Sequence, residues 1–125
     1  MHDIGDSDLP ATFGYAASEL GKRKIAFIAA RESTKAPRLG PDLKAAFGGV
    51  YVANEGFSRE EAEAVIAAGE ADAVAFGKLF LANPDLPRRI SLGAPLNPWN
   101  PETFYTDGPV GYTDYPALTE KAAAE

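Results

Sequence analysis

The sequence contains no cysteine, one histidine and no long hydrophobic run, and each absence removes a class of function. A chain without cysteine has no disulfide framework and no thiolate metal site. The single His2 stands beside the N-terminal methionine, so it forms no histidine cluster and we do not expect it to act as a ligand or a base. The longest apolar runs are far shorter than the roughly 20 residues of a membrane-spanning helix. We therefore expect neither a metal site nor a membrane span.

Basic residues are also scarce, because 12 lysines and arginines stand against 18 aspartates and glutamates. The resulting net charge of -6 argues against a nucleic-acid partner, which normally binds a basic stripe. The N-terminal "MHDIGDSD" lacks the basic and apolar regions of a secretory signal peptide, so a cytoplasmic location is the default expectation. A hydrophobic fraction of 46% over 125 residues suits one small soluble domain with a marginal core.

What the sequence does contain is an alternation of helical and strand patterns through its first 90 residues. Asp8 and Pro10 predict the start of a helix that ends at Gly21. The apolar face of this helix is predicted to be Phe13, Ala16, Ala17 and Leu20. The other predicted elements are three strands over 24–30, 50–53 and 72–76, a loop over 31–42, one or two helical turns over 42–49, and a short helix around 78–83.

The helix before the third strand has the clearest local signature. Ser58 and Glu61 form an S-x-x-E capping box, in which the serine caps a free helix N–H and the glutamate reaches back. Gly69 is predicted to end this helix, and its inward stripe is predicted to be Ala62, Val65 and Ile66. Helices that connect strands apolar on both faces indicate a parallel sheet in an α/β fold.

Three strands are too few to close a barrel, and an open parallel sheet has two bare edges that proteins usually cover or pair. The chain is therefore expected to be incomplete or to need a partner. From about Pro87 the sequence becomes dense in proline, glycine, asparagine and aromatic residues, which predicts an irregular tail that wraps a surface. We divide the chain into three βα units over 1–90 and this tail over 91–125, ending in a frayed helix at "TEKAAAE".

Glycines follow two neighbouring strands at the edge where parallel α/β sheets bind ligands. Strand two ends at "NEG" (54–56), and strand three ends at Gly77 and Lys78, directly before the short helix. Backbone N–H groups at such turns, together with a lysine, favour a phosphate. The residues leave a more ordinary interpretation open, in which the glycines only allow tight turns and Lys78 is a solvated surface charge.

Two long and specific motifs are "DAVAFGKLFLANPDLPRRI" and "APLNPWNPETFYTDGPVGYTDYPAL", and in them the chain resembles the C-terminal part of the Old Yellow Enzyme family. Upstream, "KIAFIAARES" and "SREEAEAVIAAGEADA" are similar to the family's sixth strand and seventh helix, so the resemblance runs from Asp3 to about Leu118. It implies the C-terminal part, about strands six to eight, of a (β/α)8 TIM barrel that another chain completes. It also implies a flavin-dependent ene-reductase that binds FMN and uses NAD(P)H as reductant.

The residues that match the family's phosphate-binding motifs are expected to hold the phosphate of FMN. Lys78 stands where most members have arginine, which keeps the charge but loses the bidentate fork. Glu55 stands where many members have glycine, and we expect its carboxylate to turn outward so that only its N–H serves the phosphate. Tyr105 matches an aromatic near the flavin ring and the substrate pocket, although packing of the tail is the alternative for Tyr105 and Phe104. The full set implied for the cofactor is Ala53, Asn54, Glu55, Gly56, Gly77, Lys78 and Tyr105.

Other candidates have simpler interpretations. "GYTDYP" (111–116) is expected to be a structural clamp on the barrel, and Trp99 is expected to pack the tail. Arg31 and Glu32, at the end of the first strand, are expected either to face the active-site mouth or to form an ion pair.

The resemblance implies that no catalytic residue lies in this chain, since the proton donor and the residues that hold the substrate carbonyl belong to the missing strands. We therefore expect a fragment of a split or permuted ene-reductase that reduces activated alkenes beside a complementary N-terminal chain and is inactive alone. Two alternatives remain. One is a non-catalytic half-barrel scaffold or phosphate-binding module, which could also self-associate. The other is a different phosphate-binding α/β barrel enzyme, against which the "GYTDYP" tail speaks.

Overall fold

The computed structural model describes residues 7–32 and 38–119, so the predictions about His2 and the final helical tail concern positions outside the described residues. The chain divides into two compact units, residues 1–75 and residues 76–125. In chain order the elements are α1 (Leu9–Lys22), β1 (Phe27–Arg31), α2 (Gly40–Phe47), β2 (Val50–Asn54), α3 (Arg59–Ala67), β3 (Ala73–Ala75), α4 (Lys78–Ala82), α5 (Leu86–Leu92) and a 3-10 turn (Pro101–Thr103).

The first unit holds a parallel sheet in the order β1-β2-β3, as the alternation of helices and strands predicts. Phe27 of β1 pairs with Val50 of β2, and Asn54 of β2 pairs with Ala75 of β3. The strands begin or end within a few residues of their predicted bounds. The parallel α/β class is therefore confirmed for these residues.

Only one face of this sheet is covered. Tyr51 and Ala53 of β2 have no exposed surface, and they belong to the core of the unit. Paired residues of a parallel ladder point to the same side, so Phe27 and Val50 lie together on the opposite face, where they are 56% and 47% exposed. The strands are therefore apolar on this face too, as predicted, but this face is exposed. The core residues of the unit are Ala17, Leu43, Phe47, Tyr51, Ala53, Phe57, Ala62, Val65 and Ala71.

The apolar side of α1 lines a groove. The helix begins as predicted, because the Asp8 side chain accepts the N–H of Ala11. Its residues Phe13 and Leu20 are 46% and 37% exposed, and they border a groove of about 600 Å³ with β1 and α2. The predicted face of α1 is therefore apolar as expected, but it is only partly covered.

Two predicted positions in the first unit are wrong for non-local reasons. Gly21 lies inside α1, which continues to Lys22, and a Cβ at Gly21 would collide with the backbone of Phe47. That glycine therefore permits the close approach of α1 to α2. Ile66 is 46% exposed, whereas Ala62 and Val65 are buried as predicted. The predicted loop over 31–42 is also too long, since α2 already begins at Gly40.

The second unit has more helix than its composition indicates. α5 covers Leu86–Leu92, so the irregular segment does not begin at Pro87. Pro87 occupies the first turn of α5, where its missing N–H costs nothing. Buried polar side chains organise the unit: Asn83 has no exposed surface, and its Oδ1 accepts the N–H of Asn97 at 2.7 Å.

Candidate functional site

The end of β2 forms a turn with unusual backbone geometry. Asn54 is the last strand residue, and its side-chain amide donates to the carbonyl oxygen of Ala75 at 3.2 Å. Glu55 and Gly56 follow with φ angles of 91° and 77°, in the left-handed region that favours glycine. The adjacent pairing of Asn54 with Ala75 brings the carboxyl ends of β2 and β3 to one edge of the sheet.

The Glu55 carboxylate is occupied by an ion pair. The Arg31 guanidinium contacts it through both Nε and Nη2, the latter at 2.9 Å from Oε1. Arg31 ends β1, so its side chain spans from the edge strand to the turn after the central strand. Of the two expectations for Arg31, an ion pair is observed, and its partner is Glu55 rather than the neighbouring Glu32. The negative charge that would repel a phosphate at this turn is therefore neutralised by Arg31.

Glu32 has a different task, which sequence patterns did not reveal. Its carboxylate accepts the N–H groups of Leu39 and Gly40 at 2.8 and 2.9 Å, which fixes the start of α2. The hydroxyl of Tyr51 donates to the same carboxylate at 3.4 Å. Burial, and then the nearby negative charge of Glu32, raise the pKa of Tyr51 to about 12. This buried group has a structural role, since it stays protonated across the physiological range.

Gly77 and Lys78 lie at the start of the second unit. Gly77 is the residue before α4 and has φ -86° and ψ -84°, and a Cβ there would meet nothing within 4 Å. α4 has only five residues, so its helix dipole is small. The ammonium of Lys78 lies 5.2 Å from the ring centroid of Trp99. Trp99 was expected only to pack the tail, and this contact has no short-range sequence signature.

Two backbone amides and one lysine at these positions lack a hydrogen-bond or ion-pair partner among the described residues. Within residues 7–32 and 38–119, no acceptor is recorded for the backbone N–H of Gly56 or of Gly77. Over the same residues, Lys78 forms no ion pair with a carboxylate. Ala53 differs, because it is fully buried inside the sheet. The groups at 56, 77 and 78 are therefore donors suited to an anion.

Tyr105 stands out from its surroundings. Its side chain is 95% exposed and its φ is 66°, which is unusual for a residue with a side chain. Its N–H donates to the hydroxyl of Tyr112 at 2.8 Å. In the same segment, the N–H of Gly111 donates to Asp114 at 2.7 Å and the N–H of Asn100 donates to the hydroxyl of Tyr115 at 3.0 Å. Hydrogen bonds therefore hold "GYTDYP" within the tail, and Tyr105 is not packed there, while the expected clamp on the barrel stays a prediction.

In the part of the chain that the structure describes, no group of three or more acidic, histidine or cysteine side chains could hold a metal ion. No helix of these residues has both the length and the apolar character to cross a membrane. The cytoplasmic location expected from the sequence stays a prediction.

These features define an α/β protein with a parallel sheet. No protein-family model matches the chain. It is 46% identical over 130 residues to 12-oxophytodienoate reductase 1 of Oryza sativa subsp. japonica, a match that covers 94% of this chain and 34% of the relative. It is also 52% identical over 81 residues to 12-oxophytodienoate reductase 2 of Arabidopsis thaliana, covering 64% of this chain and 22% of that protein.

Solved structures give the same result. The old yellow enzyme homologue from Zymomonas mobilis is 41% identical with a TM-score of 0.85, and the match covers 90% of this chain and 34% of that one. Morphinone reductase in complex with tetrahydroNAD is 39% identical with a TM-score of 0.86, covering 94% of this chain and 32% of that one. Over the part that it spans, the chain belongs to the Old Yellow Enzyme family. It spans about a third of the length of the relatives that it matches.

Proposed function

We propose that the chain supplies the FMN phosphate-binding residues and one pocket wall of an ene-reductase that reduces activated C=C bonds with NAD(P)H. The proposal rests on the family, and on one observation above all. Among the described residues, no acceptor is recorded for the N–H of Gly56 in the first unit or for the N–H of Gly77 in the second, and Lys78 forms no ion pair with a carboxylate. Each of these residues stands at a position that matches the family's motif. A phosphate is an anion that such donors bind.

The two departures from the family pattern are compatible with this role. The Glu55 carboxylate is paired with Arg31, so its charge is offset at this turn. Lys78 provides a positive charge with three rotatable donors in place of a planar guanidinium. Asn54 braces the turn through its bond to Ala75. Among the residues proposed to hold the phosphate, Ala53 is fully buried and is therefore the least accessible to it.

Tyr105 is proposed to form the pocket wall. Its ring is free of packing, so it can contact a flavin or a flat substrate. Bound FMN would supply the redox chemistry, taking a hydride from NAD(P)H and delivering it to the β-carbon of an alkene conjugated to a carbonyl or nitro group. The proton that then reaches the α-carbon must come from another chain, since we assign no catalytic residue here. The residues of this chain bind and orient.

A complementary chain is part of the proposal. The sheet has free edges at β1 and β3, and its face with Phe27 and Val50 is exposed. Pairing with further strands would cover both features. We propose a partner chain that carries strands one to five of the barrel, which precede β1. The chain described here would then be inactive alone. We further propose that the strands observed correspond to about strands six to eight of the (β/α)8 barrel.

A second candidate function is a half-barrel scaffold or phosphate-binding module without catalysis. The observation in its favour is the coverage, because the chain spans only about a third of its relatives. The same donors at Gly56, Gly77 and Lys78 would then bind a phosphate that is not part of a flavin. Self-association would replace the complementary chain.

One experiment separates these functions. The chain is mixed with FMN, alone and together with a chain made from the remaining part of rice 12-oxophytodienoate reductase 1, and each mixture is desalted. The ene-reductase predicts a yellow complex that retains FMN, bleaches with NADPH and regains its colour with 2-cyclohexenone. Retention of FMN without bleaching supports the binding module. Loss of FMN from both mixtures contradicts the proposal.

A further inference from the structure

We infer that Trp99 is a positioning residue for the phosphate of the flavin, acting through Lys78. The inference rests on the proposed function and extends it to a residue that the family motif does not assign. Its basis is a contact within the second unit, where the Lys78 ammonium lies 5.2 Å from the centroid of the Trp99 ring. That distance lies within the range at which the ring's quadrupole attracts a cation.

Lys78 differs from Arg38, the other cation recorded over an aromatic ring among the described residues, because Arg38 also pairs with carboxylates. Most lysines and arginines of the described residues pair with carboxylates, as Lys44 does with Asp72 at 3.0 Å. Lys78 has no such partner there, and an aromatic face holds it instead. An aromatic ring attracts an ammonium group without taking up its three N–H donors in hydrogen bonds. The lysine is therefore kept in place while its donors and its charge stay available to an anion.

Trp99 also offsets the loss of directionality at position 78. A lysine side chain is flexible, whereas an arginine presents a rigid fork to a phosphate. Holding the ammonium against a ring reduces the side-chain freedom that phosphate binding would otherwise have to remove. Trp99 is 40% exposed, so the relevant magnitude is that of an exposed cation–π contact. The expected effect on flavin affinity is about two- to fivefold.

The test compares FMN with riboflavin, which has the same ring system but no phosphate. Both are titrated into the complex formed with the complementary part of rice 12-oxophytodienoate reductase 1. Trp99→Leu is expected to lower the preference for FMN over riboflavin about two- to fivefold, and Trp99→Phe, which keeps an aromatic face, is expected to restore most of it. Lys78→Met should lower the preference further, and the double variant should equal Lys78→Met alone. Phe80→Leu, which removes another partly exposed aromatic side chain of this unit, is the matched control and should leave the preference unchanged.

The outcomes distinguish the two levels of the proposal. If wild type retains neither flavin, or binds both equally, the proposed phosphate site is wrong. If wild type prefers FMN but Trp99→Leu leaves that preference intact, the inference about Trp99 is wrong while the phosphate site stands. The same holds if Trp99→Leu also lowers the preference of the Lys78→Met variant.

A second measurement needs no flavin. Trp99 is the only tryptophan of the chain, so its fluorescence reports on the contact directly. Lys78→Met should change the emission of Trp99 in the full chain, and Arg88→Met, which removes another exposed cation of the same unit, should not. If the emission of Lys78→Met equals that of wild type, the contact between Lys78 and Trp99 is contradicted.

Discussion

Arg89 is a buried cation whose donors reach three separate segments of the second unit. Its guanidinium donates to the Asp85 carboxylate at 2.7 Å and to the carbonyl oxygens of Pro95 and Pro116 at 2.5 and 2.7 Å. The side chain is only 5% exposed. Because a buried group left without its partner loses far more than an exposed one, this residue ties α5 to the irregular tail.

Replacing Arg89 by methionine should therefore destabilise the chain. Arg89→Met keeps the apolar part of the side chain but removes the cation beside the Asp85 carboxylate and the guanidinium donors to the carbonyl oxygens of Pro95 and Pro116. We expect the free energy of unfolding to fall by about 3 kcal/mol, measured by urea denaturation. Arg88→Met is the matched control, since Arg88 is exposed on the same helix, and it should change stability by less than about 0.5 kcal/mol. Equal losses in the two variants would contradict the role of Arg89.

The partner of Arg89 makes the stability depend on acid. The hydrogen bond from Arg89, followed by the N–H of Leu118, lowers the pKa of Asp85 below its ordinary value. A lowered pKa in the folded state gives a stabilisation that is present above the ordinary value and is lost as the pH falls through the folded one. Asp85→Asn should therefore be less stable than wild type near neutral pH, and the difference should shrink in acid.

The measurement is urea denaturation of wild type and Asp85→Asn at a series of pH values from neutral to acid. Asp107→Asn is the control, because no ion pair or side-chain hydrogen bond is recorded for Asp107 among the described residues, and it should follow wild type throughout. A difference between wild type and Asp85→Asn that stays constant across the series would be incompatible with this linkage.

At the scale of elements, α1 contains two glycines in opposite environments. A Cβ added at Gly14 would meet nothing within 4 Å, whereas one at Gly21 would collide with the backbone of Phe47 in α2. Glycine inside a helix costs up to about 1 kcal/mol relative to alanine. The same substitution should therefore have opposite effects at the two positions.

Gly14→Ala is expected to raise the free energy of unfolding by about 0.5–1 kcal/mol, and Gly21→Ala is expected to lower it because α1 must move away from α2. Thermal denaturation of the two variants, followed by circular dichroism, compares them directly. Stabilisation by Gly21→Ala would show that the two helices are not held at this distance.

Elements with a local cause could be predicted from the sequence. Ser58 and Glu61 form both bonds of the capping box, with the serine hydroxyl accepting the Glu61 N–H at 3.1 Å and the Glu61 carboxylate accepting the Ser58 N–H at 2.7 Å. Gly69 follows α3 with a φ of 72°. These features depend on residues within one turn of each other, so the sequence contains all the information that they need.

Elements with a non-local cause could not be predicted from the sequence. The exposure of Ile66 and the position of Gly21 inside α1 depend on which neighbour each helix meets, and periodicity does not identify that neighbour. α5 was missed because prolines and glycines around it resemble a loop, although Pro87 occupies a position where proline is tolerated. At the candidate site, the motif gave the positions, but the pairs Arg31–Glu55 and Lys78–Trp99 join residues 24 and 21 positions apart.

At the scale of the whole molecule, the exposed face of the sheet is an apolar surface that the described residues do not cover. Phe27 and Val50 lie on it at 56% and 47% exposure, next to the free edge of β1. Apolar surface of this kind favours association, whether with a complementary chain or with a second copy.

The isolated chain should therefore self-associate. Sedimentation velocity at micromolar concentration is expected to give species larger than the 13.2 kDa monomer, and Phe27→Lys is expected to shift them toward the monomer. Ile66→Lys is the matched control, because Ile66 is also exposed (46%) but lies on a helix rather than on the open face. A stable wild-type monomer would argue against the need for a partner.

Tyr105 lowers the stability of the folded chain, while in the proposed function the same residue contributes to ligand binding. Holding a residue with a side chain in the left-handed region costs about 1 kcal/mol, and the protruding ring gains no packing within the tail in return. A chain optimised for thermal endurance alone would have glycine there. If Tyr105 contacts a flavin as proposed, its backbone already has the left-handed conformation before binding, so the ligand does not have to supply that cost.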